Sequence, residues 1–343
     1  MRVGFDSFAF RMQQEGGISR YFAELLPAFN ESSIEPVLIE RIPKFWEQKC
    51  PQLEQLISER ARSRLQFWDR GAKFMGLDIY HNTYYKCPTA FPKDLPMALT
   101  IHDFTPEHHP YFFPDGNPHL KKDELILKAD LIFCVSKTTR DNLLMFYPKL
   151  KSKVLVTPLA TSIKSVSLDL ELQIPNSPYC MTVGRSDPYK DVGTAIRAME
   201  YLGKEKIVLF GNGQKEMRIN GLNSPRTIII GGRDSALRTY LENATCLIYP
   251  SLSEGFGLPI LEAISVGCPV VASDLPVFRE LFGDSILYAK AGNPKSFADQ
   301  ILKLKETTLR DEQIAQGYEK ALEYSWEKSA AITAEGYRSV KTK

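Results

Sequence analysis

The chain has 343 residues, which suits about two domains better than one compact core. Its 43% hydrophobic and 24% charged residues are typical of a soluble globular protein, and a net charge of +2 argues against a dominant nucleic-acid surface. The six cysteines form no CxxC pair, which favours reduced thiols in a cytoplasmic protein over a disulfide framework or a zinc site. No signal peptide is expected at the start, and no apolar run approaches the roughly 18 residues that span a bilayer.

The first half of the chain predicts six short strands. Apolar runs bounded by turn residues place them at 2–8, 37–40, 78–81, 97–101, 131–135 and 154–157. A polar loop ending in Gly16-Gly17 is predicted after the first strand, and apolar residues then recur at helical spacing. Glycines between a strand and a helix fit a phosphate cradle, although a tight turn is the commoner structure for such a pair.

Residues 41–93 differ from their surroundings in charge. They hold ten Lys or Arg against five Asp or Glu, interleaved with aromatic residues such as Trp46 and Trp68. This composition is compatible with peripheral contact with an anionic membrane. A solvated helix face that packs its aromatic residues inward explains the same pattern, and this interpretation is preferred.

The second half of the chain alternates strands and helices more regularly. A stretch at 161–178 with two prolines predicts a linker. After it, strands are predicted at 180–183, 206–210, 227–230, 246–249, 269–272 and 286–288. Alternation of this kind requires βαβ units and parallel sheets. We therefore predict an α/β protein of two Rossmann-like, doubly wound domains, at 1–160 and 179–323, facing a cleft, with ligands at the carboxyl ends of the strands.

The stretch 250–262 carries the strongest sign of a ligand site. Gly255 and Gly257 follow a predicted strand and precede a helix, so backbone N–H groups and the helix N-terminus favour an anion there. Glu254 and Glu262 lie at the two ends of this glycine loop and helix start, and their carboxylates can accept hydrogen bonds from hydroxyl groups of a ligand. A ligand with both phosphate and sugar would use all of these groups.

Other candidate residues follow neighbouring predicted strands. Arg185 and Lys190 share a loop and could clamp a diphosphate, although solvated cations are the default reading for such a pair. Gly211 begins a glycine turn, Arg233 could approach a nucleotide base or equally be an exposed loop residue, and His102 directly precedes an aspartate.

These motifs together resemble glycosyltransferase family 4, the retaining, GT-B-fold enzymes among the group 1 glycosyltransferases, including mannosyltransferases. The resemblance takes in Gly16 to Tyr21, His102-Asp103, Val183-Gly184-Arg185 with Lys190, Gly211-Asn212-Gly213 and Tyr249 through Glu262. It covers nearly the whole chain in the same order. Ser325-Trp326-Glu327 resembles the start of the family's terminal helix, which implies that residues 324–343 cross back to the N-terminal domain.

The resemblance implies a role for each matching position. Glu254 would contact the donor sugar, the amides of Gly255, Phe256, Gly257 and Leu258 would hold sugar and phosphate, and Glu262 would bind the ribose. Arg185 and Lys190 would hold the diphosphate as leaving group. Gly16 and Gly17 would meet it from the other domain, and His102 would lie near the donor sugar on the acceptor side.

The implied activity is transfer of a hexose from a nucleotide-diphosphate sugar, of the GDP-mannose or UDP-hexose type, to a hydroxyl of a glycan or lipid-linked saccharide. Cell-surface polysaccharide synthesis is the implied setting, with the enzyme cytoplasmic or peripheral at the inner face of the plasma membrane. No Asp-x-Asp occurs, so no metal cofactor is expected. Asp191 stands where the family commonly has glycine, and it could cap the following helix. A nucleotide-sugar epimerase, a sugar phosphorylase or a non-catalytic nucleotide-sugar-binding protein are the alternatives.

Overall fold

The protein is described by a computed structural model that divides into two compact units. The first unit comprises residues 1–107, 113–159 and 325–343, and the second comprises 108–112 and 160–324. The structure describes residues 1–13, 16–31, 33–58, 74–86, 88, 91–113, 122–184, 187–211 and 225–340.

The first unit is built on a six-stranded parallel sheet. Its strands are β1 (Arg2–Phe5), β2 (Glu35–Leu38), β3 (Ile79–Asn82), β4 (Met97–Ile101), β5 (Leu131–Cys134) and β6 (Lys153–Val156). They lie in the order β2-β1-β3-β4-β5-β6, so the chain changes direction across the sheet between β1 and β3. The middle strands are buried on both faces, as expected of parallel strands covered by helices.

The second unit repeats this architecture with another six-stranded parallel sheet. Its strands are β7 (Tyr179–Val183), β8 (Lys206–Phe210), β9 (Thr227–Ile230), β10 (Leu247–Tyr249), β11 (Val270–Ser273) and β12 (Leu287–Ala289). Their order is β12-β11-β10-β7-β8-β9, the doubly wound dinucleotide-binding order, which reverses between β7 and β10. Ligands of such sheets bind beyond the carboxyl ends of the strands at that reversal.

Helices connect the strands in both units. In the first they are α1 (Phe8–Met12), α2 (Gly17–Leu25), α3 (Lys44–Lys49), α4 (Gln52–Gln55), α5 (Thr105–His108, which ends at the boundary of the units), α6 (Lys122–Lys128) and α7 (Lys137–Phe146). The second contains α8 (Val192–Ala198), α9 (Asp234–Asn243), α10 (Leu258–Ser265), α11 (Pro276–Phe282), α12 (Pro294–Lys303) and α13 (Thr307–Ala321), and α14 (Trp326–Arg338) belongs to the first. Short 3-10 turns lie at Pro27–Glu31, Pro110–Phe112, Ile163–Ser165, Pro188–Lys190, Met199–Tyr201 and Gly283–Ser285.

The predicted fold class is confirmed, with one local error. Each predicted strand matches an observed strand to within a few residues. The loop predicted between the first strand and Gly16 instead contains the short helix α1. Asp6 explains the difference, because its carboxylate accepts the backbone N–H of Phe8 at 2.8 Å and so turns the chain into that helix.

Two predicted segments have a defined place in the structure. The stretch predicted as a linker packs on α9, where Tyr240 donates to the carbonyl of Gln173 at 3.1 Å and Thr239 accepts the N–H of Asp169 at 2.9 Å. Part of the basic segment 41–93 lies outside the described residues. In the described part Trp46 is buried, and membrane contact through this segment stays a prediction. Within the described chain, no helix has the length and apolarity to cross a bilayer.

The last helix, α14, is part of the first unit's core. Gly336 allows its close approach to the sheet, because an added Cβ would lie 2.7 Å from the ring of Phe133. A chain of side-chain hydrogen bonds joins this helix to the sheet. The hydroxyl of Tyr337 lies 2.5 Å from Nδ1 of His81, and Nε2 of His81 lies 2.9 Å from the hydroxyl of Thr100.

Because His81 is fully buried, it is expected to make stability depend on pH. Burial, with a smaller contribution from the charge of His102, lowers the pKa of His81 to about 3. Below about pH 6.5 the unfolded chain therefore binds a proton at this histidine that the folded chain does not bind. The free energy of unfolding should then fall by about 1.4 kcal/mol for each pH unit between pH 6.5 and pH 3. Urea unfolding across this range measures the slope.

A His81→Gln variant should lose this component of the slope, whereas His108→Gln, at an exposed position, should keep it. Equal slopes in wild type and His81→Gln would contradict the assignment. If His81→Gln does not fold, an NMR titration of wild type decides, because a His81 ring that protonates near pH 6.5 in the folded protein is incompatible with this account.

Candidate active site

Two loops meet at the strand reversal of the second unit. One follows β7 and ends in the turn Pro188–Lys190, and the other follows β10 at residues 250–257. The N–H of Leu252 donates to the carbonyl of Tyr189 at 2.8 Å, which ties the two loops together. Both loops therefore lie at the position where doubly wound sheets bind ligands.

Glu254 and Lys190 form an ion pair in these loops. Nζ of Lys190 lies 2.5 Å from Oε1 of Glu254. The hydroxyls of Tyr249 and Ser251 each donate to the same oxygen at 2.7 Å. Both charged side chains are largely buried, at 19% and 12% exposure for Lys190 and Glu254. Three donors, from the loop after β7, from the end of β10 and from the loop after β10, thus converge on one carboxylate oxygen.

The charge of Lys190 is stabilised by its surroundings. Burial opposes the charge, but the carboxylate of Glu254 and the hydroxyls of Tyr249 and Tyr189 outweigh it and raise the pKa of Lys190 well above its usual value. Nζ also lies 5.0 Å from the ring centroid of Tyr189. Lys190 is therefore a fixed cation near neutral pH, which suits an anionic leaving group.

Asp191 does not compete for this cation. Its carboxylate accepts the hydroxyl of Thr194 at 2.6 Å and lies 3.9 Å from the guanidinium of Arg197. Asp191 precedes α8, but its side chain caps no backbone N–H there. Its φ of 44° is in the left-handed region that favours glycine, which accounts for the commoner residue of the resembled family.

The helix α10 presents the second carboxylate. Gly257 precedes it with a φ of 97°, and an added Cβ would lie 2.8 Å from the ring of Phe278, so only glycine fits. Glu262 lies one turn into the helix and is buried at 2% exposure. A buried carboxylate this close to the strand reversal is consistent with the predicted contact to ribose, which stays a prediction.

The structure places the remaining predicted donor residues as follows. Gly255 and Phe256 are buried, and the ring of Phe256 packs against Tyr324 at 5.7 Å, so only its backbone is available to a ligand. Leu258 begins α10, Gly211 directly follows β8, and exposed Arg233 directly precedes α9. Arg185 lies outside the described residues.

The predicted residues of the first unit gather at the carboxyl edge of its sheet. Gly16 precedes α2 and Gly17 begins it. No atom of the described residues lies within 4 Å of a Cβ added at Gly17, so the fold itself leaves room for a side chain there. His102 follows β4, and its ring meets that of Tyr21 from α2 edge-on at 5.1 Å. The structure thus brings His102 and the glycine pair to neighbouring elements.

A buried lysine fixes the loop after His102. Lys122 is 1% exposed, and its Nζ lies 2.8 Å from Oε2 of Glu107 and donates to the carbonyl of Asp103 at 2.7 Å. The rings of Phe104 and Tyr85 flank the ammonium at 4.3 and 5.7 Å. Burial raises the pKa of the Glu107 carboxyl, and Lys122 partly offsets that rise.

Three residues of these sites were not predicted. Tyr249 and Ser251 lie inside the stretch that carried the strongest signal, and hydroxyls flanking a predicted ligand carboxylate were the available clue. Lys122 has no motif around it. Among the described residues, no cluster of three or more His, Cys, Asp or Glu side chains is arranged to hold a metal ion. Metal independence stays a prediction.

Comparison with known proteins matches part of the chain to a family. The model of the family described as glycosyl transferases group 1 matches residues 171–320. The O-antigen chain mannosyltransferase B of Escherichia coli is 26% identical over 291 residues, which cover 76% of this chain and 74% of that protein.

Solved structures share the fold. Sucrose-phosphate synthase from Thermosynechococcus elongatus superposes with a TM-score of 0.77 at 18% identity, covering 98% of each chain. HepE of Anabaena in complex with UDP-glucose also gives 0.77, at 16% identity, covering 99% of this chain and all of that one. Membership of glycosyltransferase family 4 in particular stays a prediction. Residues 171–320 therefore match the group 1 glycosyltransferase family, and the mannosyltransferase relative and the shared GT-B fold support a glycosyltransferase.

Proposed function

We propose that this glycosyltransferase transfers a hexose, with retention of anomeric configuration and without a metal ion, from a nucleotide-diphosphate sugar of the GDP-mannose or UDP-hexose type to a hydroxyl of a glycan or lipid-linked saccharide. Cell-surface polysaccharide synthesis is the proposed setting. The observation that carries the proposal is the buried pair of Lys190 and Glu254 at the strand reversal of the second unit.

This pair suits a donor with a diphosphate and a sugar. Lys190 is a fixed cation for the diphosphate, and Glu254 is an acceptor for a sugar hydroxyl. The relative from Escherichia coli is named as a mannosyltransferase of the O-antigen chain, and HepE was solved with UDP-glucose. These names support the donor classes and the polysaccharide setting.

The chemistry needs no covalent enzyme intermediate. The bond between the sugar's anomeric carbon and the phosphate oxygen breaks as the acceptor oxygen attacks the same face of that carbon. The acceptor's proton passes to the departing phosphate oxygen, and a nucleoside diphosphate leaves. Lys190, with Arg185 as its proposed partner, stabilises the charge that develops on the leaving group.

The surroundings of Glu254 favour a binding role over a nucleophilic one. Its Oε1 already accepts three donors, one of them a cation, and these contacts occupy that oxygen and hold the carboxylate in place. We assign Glu262 to the ribose, and Gly17 and His102 to the acceptor-side unit. Each of these assignments rests on the resemblance and on the position of the residue beside a strand end.

A thermal-shift panel of GDP-mannose, UDP-glucose, UDP-galactose and UDP-N-acetylglucosamine with the bare nucleotides tests the donor. At a hundred times its dissociation constant, the true donor should stabilise the protein by about 2.7 kcal/mol. EDTA should change neither this shift nor the rate of transfer to an acceptor extract from the source cell envelope.

Loss of transfer in EDTA, restored by a divalent cation, would contradict metal independence. A panel in which no nucleotide or nucleotide sugar stabilises the protein would contradict the proposed function. Conversion of the nucleotide sugar without any acceptor would indicate an epimerase in place of a transferase.

A further inference from the structure

The hydroxyl of Tyr249 contacts both members of the ion pair. It donates to Oε1 of Glu254 at 2.7 Å and accepts from Nζ of Lys190 at 3.3 Å. Tyr249 is the last residue of β10 and is 2% exposed, and its ring packs against Phe278 with centroids 5.7 Å apart. The tyrosine is therefore rigidly held by the sheet, while the ion pair lies on two loops.

The hydrogen bonds at Glu254 divide its two oxygens. The described residues place three donors on Oε1, from Lys190, Tyr249 and Ser251, and place none on Oε2. A carboxylate held in this way cannot rotate without breaking several bonds at once. Oε2 is the oxygen that remains to accept a hydrogen bond from a ligand.

Tyr249 keeps its proton in this position. Burial, followed by the neighbouring carboxylate of Glu254, holds the pKa of the Tyr249 hydroxyl well above its usual value. The hydroxyl thus remains a donor across the working pH range. Its hydrogen bond to a carboxylate is charge-assisted and stronger than one between neutral groups.

We propose that Tyr249 is a positioning residue, whose hydroxyl fixes Glu254 and Lys190 so that Oε2 of Glu254 meets a hydroxyl of the donor sugar. Tyr249 itself touches no substrate. The inference rests on the proposed function and adds to it the group that orients the sugar-reading carboxylate. Ser251 supports the same oxygen but does not contact Lys190 among the described hydrogen bonds.

Tyr249→Phe tests this inference, because it removes the hydroxyl and keeps the buried ring. Calorimetric titration measures dissociation constants for GDP-mannose against GDP and for UDP-glucose against UDP. We expect Tyr249→Phe to raise the dissociation constant of the nucleotide sugar about tenfold. This is the scale of one charge-assisted hydrogen bond, since tenfold corresponds to about 1.4 kcal/mol. The dissociation constant of the bare nucleotide should not change.

A double-variant cycle shows whether Tyr249 acts through Glu254. In a Glu254→Gln background, Tyr249→Phe should have little further effect on sugar binding. Tyr179→Phe is the matched control, because Tyr179 is equally buried in the same sheet and its hydroxyl donates to the carbonyl of Tyr240 at 2.7 Å. The control should leave both dissociation constants unchanged.

Unchanged sugar binding in Tyr249→Phe, equal weakening of sugar and bare nucleotide, or an additive effect with Glu254→Gln would each overturn the inference. Failure of the proposed function gives a different result, because wild type would then bind none of the four compounds, and both proposals would fall together. If Tyr249→Phe does not fold, a crystal structure of wild type with the bound nucleotide sugar decides. A sugar atom within hydrogen-bond distance of the Tyr249 hydroxyl, or no sugar hydroxyl on Oε2 of Glu254, would overturn the inference.

Discussion

Replacing Lys190 with alanine is expected to lower kcat at least about a hundredfold. Lys190 is the fixed cation at the strand reversal of the second unit, held 2.5 Å from Oε1 of Glu254. Removing one preorganised group that stabilises charge in the transition state typically lowers kcat by about this factor, which corresponds to about 2.7 kcal/mol of activation free energy. Steady-state transfer from the donor identified by the panel measures the change.

The control separates loss of a catalytic charge from loss of an ion pair. Lys305 pairs with Glu205 in the same unit, with Nζ 2.8 Å from Oε1. Lys305→Ala breaks a pair in which the lysine is about half exposed, and it should leave kcat near that of wild type. Turnover in Lys190→Ala within a few fold of wild type, in a protein with an unchanged melting temperature, would rule out Lys190 as the stabiliser of the leaving group.

Replacing Lys122 with methionine should destabilise the first unit by about 3–5 kcal/mol. The ammonium of Lys122 is 1% exposed and pairs with Glu107, so its removal leaves a largely buried carboxylate without its counter-charge. The carbonyl of Asp103 also loses its hydrogen bond. Urea unfolding followed by tryptophan fluorescence measures the loss.

The same helix supplies a control for Lys122. Lys128 pairs with Glu124 on the exposed face of α6, with Nζ 2.5 Å from Oε1, and Lys128→Met should cost only a small fraction of what Lys122→Met costs. Adding Glu107→Gln to Lys122→Met should recover part of the lost stability, because the uncompensated charge is then gone. Equal stability of the two single lysine variants would contradict the burial of the pair.

The fold was largely predictable because parallel strands leave a plain signal. Strands covered on both faces read as apolar runs, and β4 and β8 begin and end where such strands are predicted. The helix α1 was missed because it depends on one hydrogen bond that the Asp6 carboxylate accepts from the backbone N–H of Phe8, which no periodicity reveals. The predicted first strand, 2–8, included Asp6, whereas the observed strand ends at Phe5.

The motifs of the candidate site could be predicted from the sequence, but the ion pair that joins two of them could not. The glycine loop and the two cations carried recognisable motifs, but Lys190 and Glu254 are 64 residues apart and only the folded sheet joins them. Lys122 could not be found at all. A lysine in a polar stretch is exposed by default, and here aromatic rings from two other segments, after β3 and after β4, flank it.

The central claim is that Lys190 and Glu254 form the donor site, and a crystal structure with an intact nucleotide sugar tests it most directly. The account predicts the diphosphate within about 3 Å of Nζ of Lys190, a hexose hydroxyl on Oε2 of Glu254, and the ribose on Glu262. A nucleotide sugar bound away from Lys190 and Glu254, with its hexose beyond hydrogen-bond distance of that carboxylate, would contradict it.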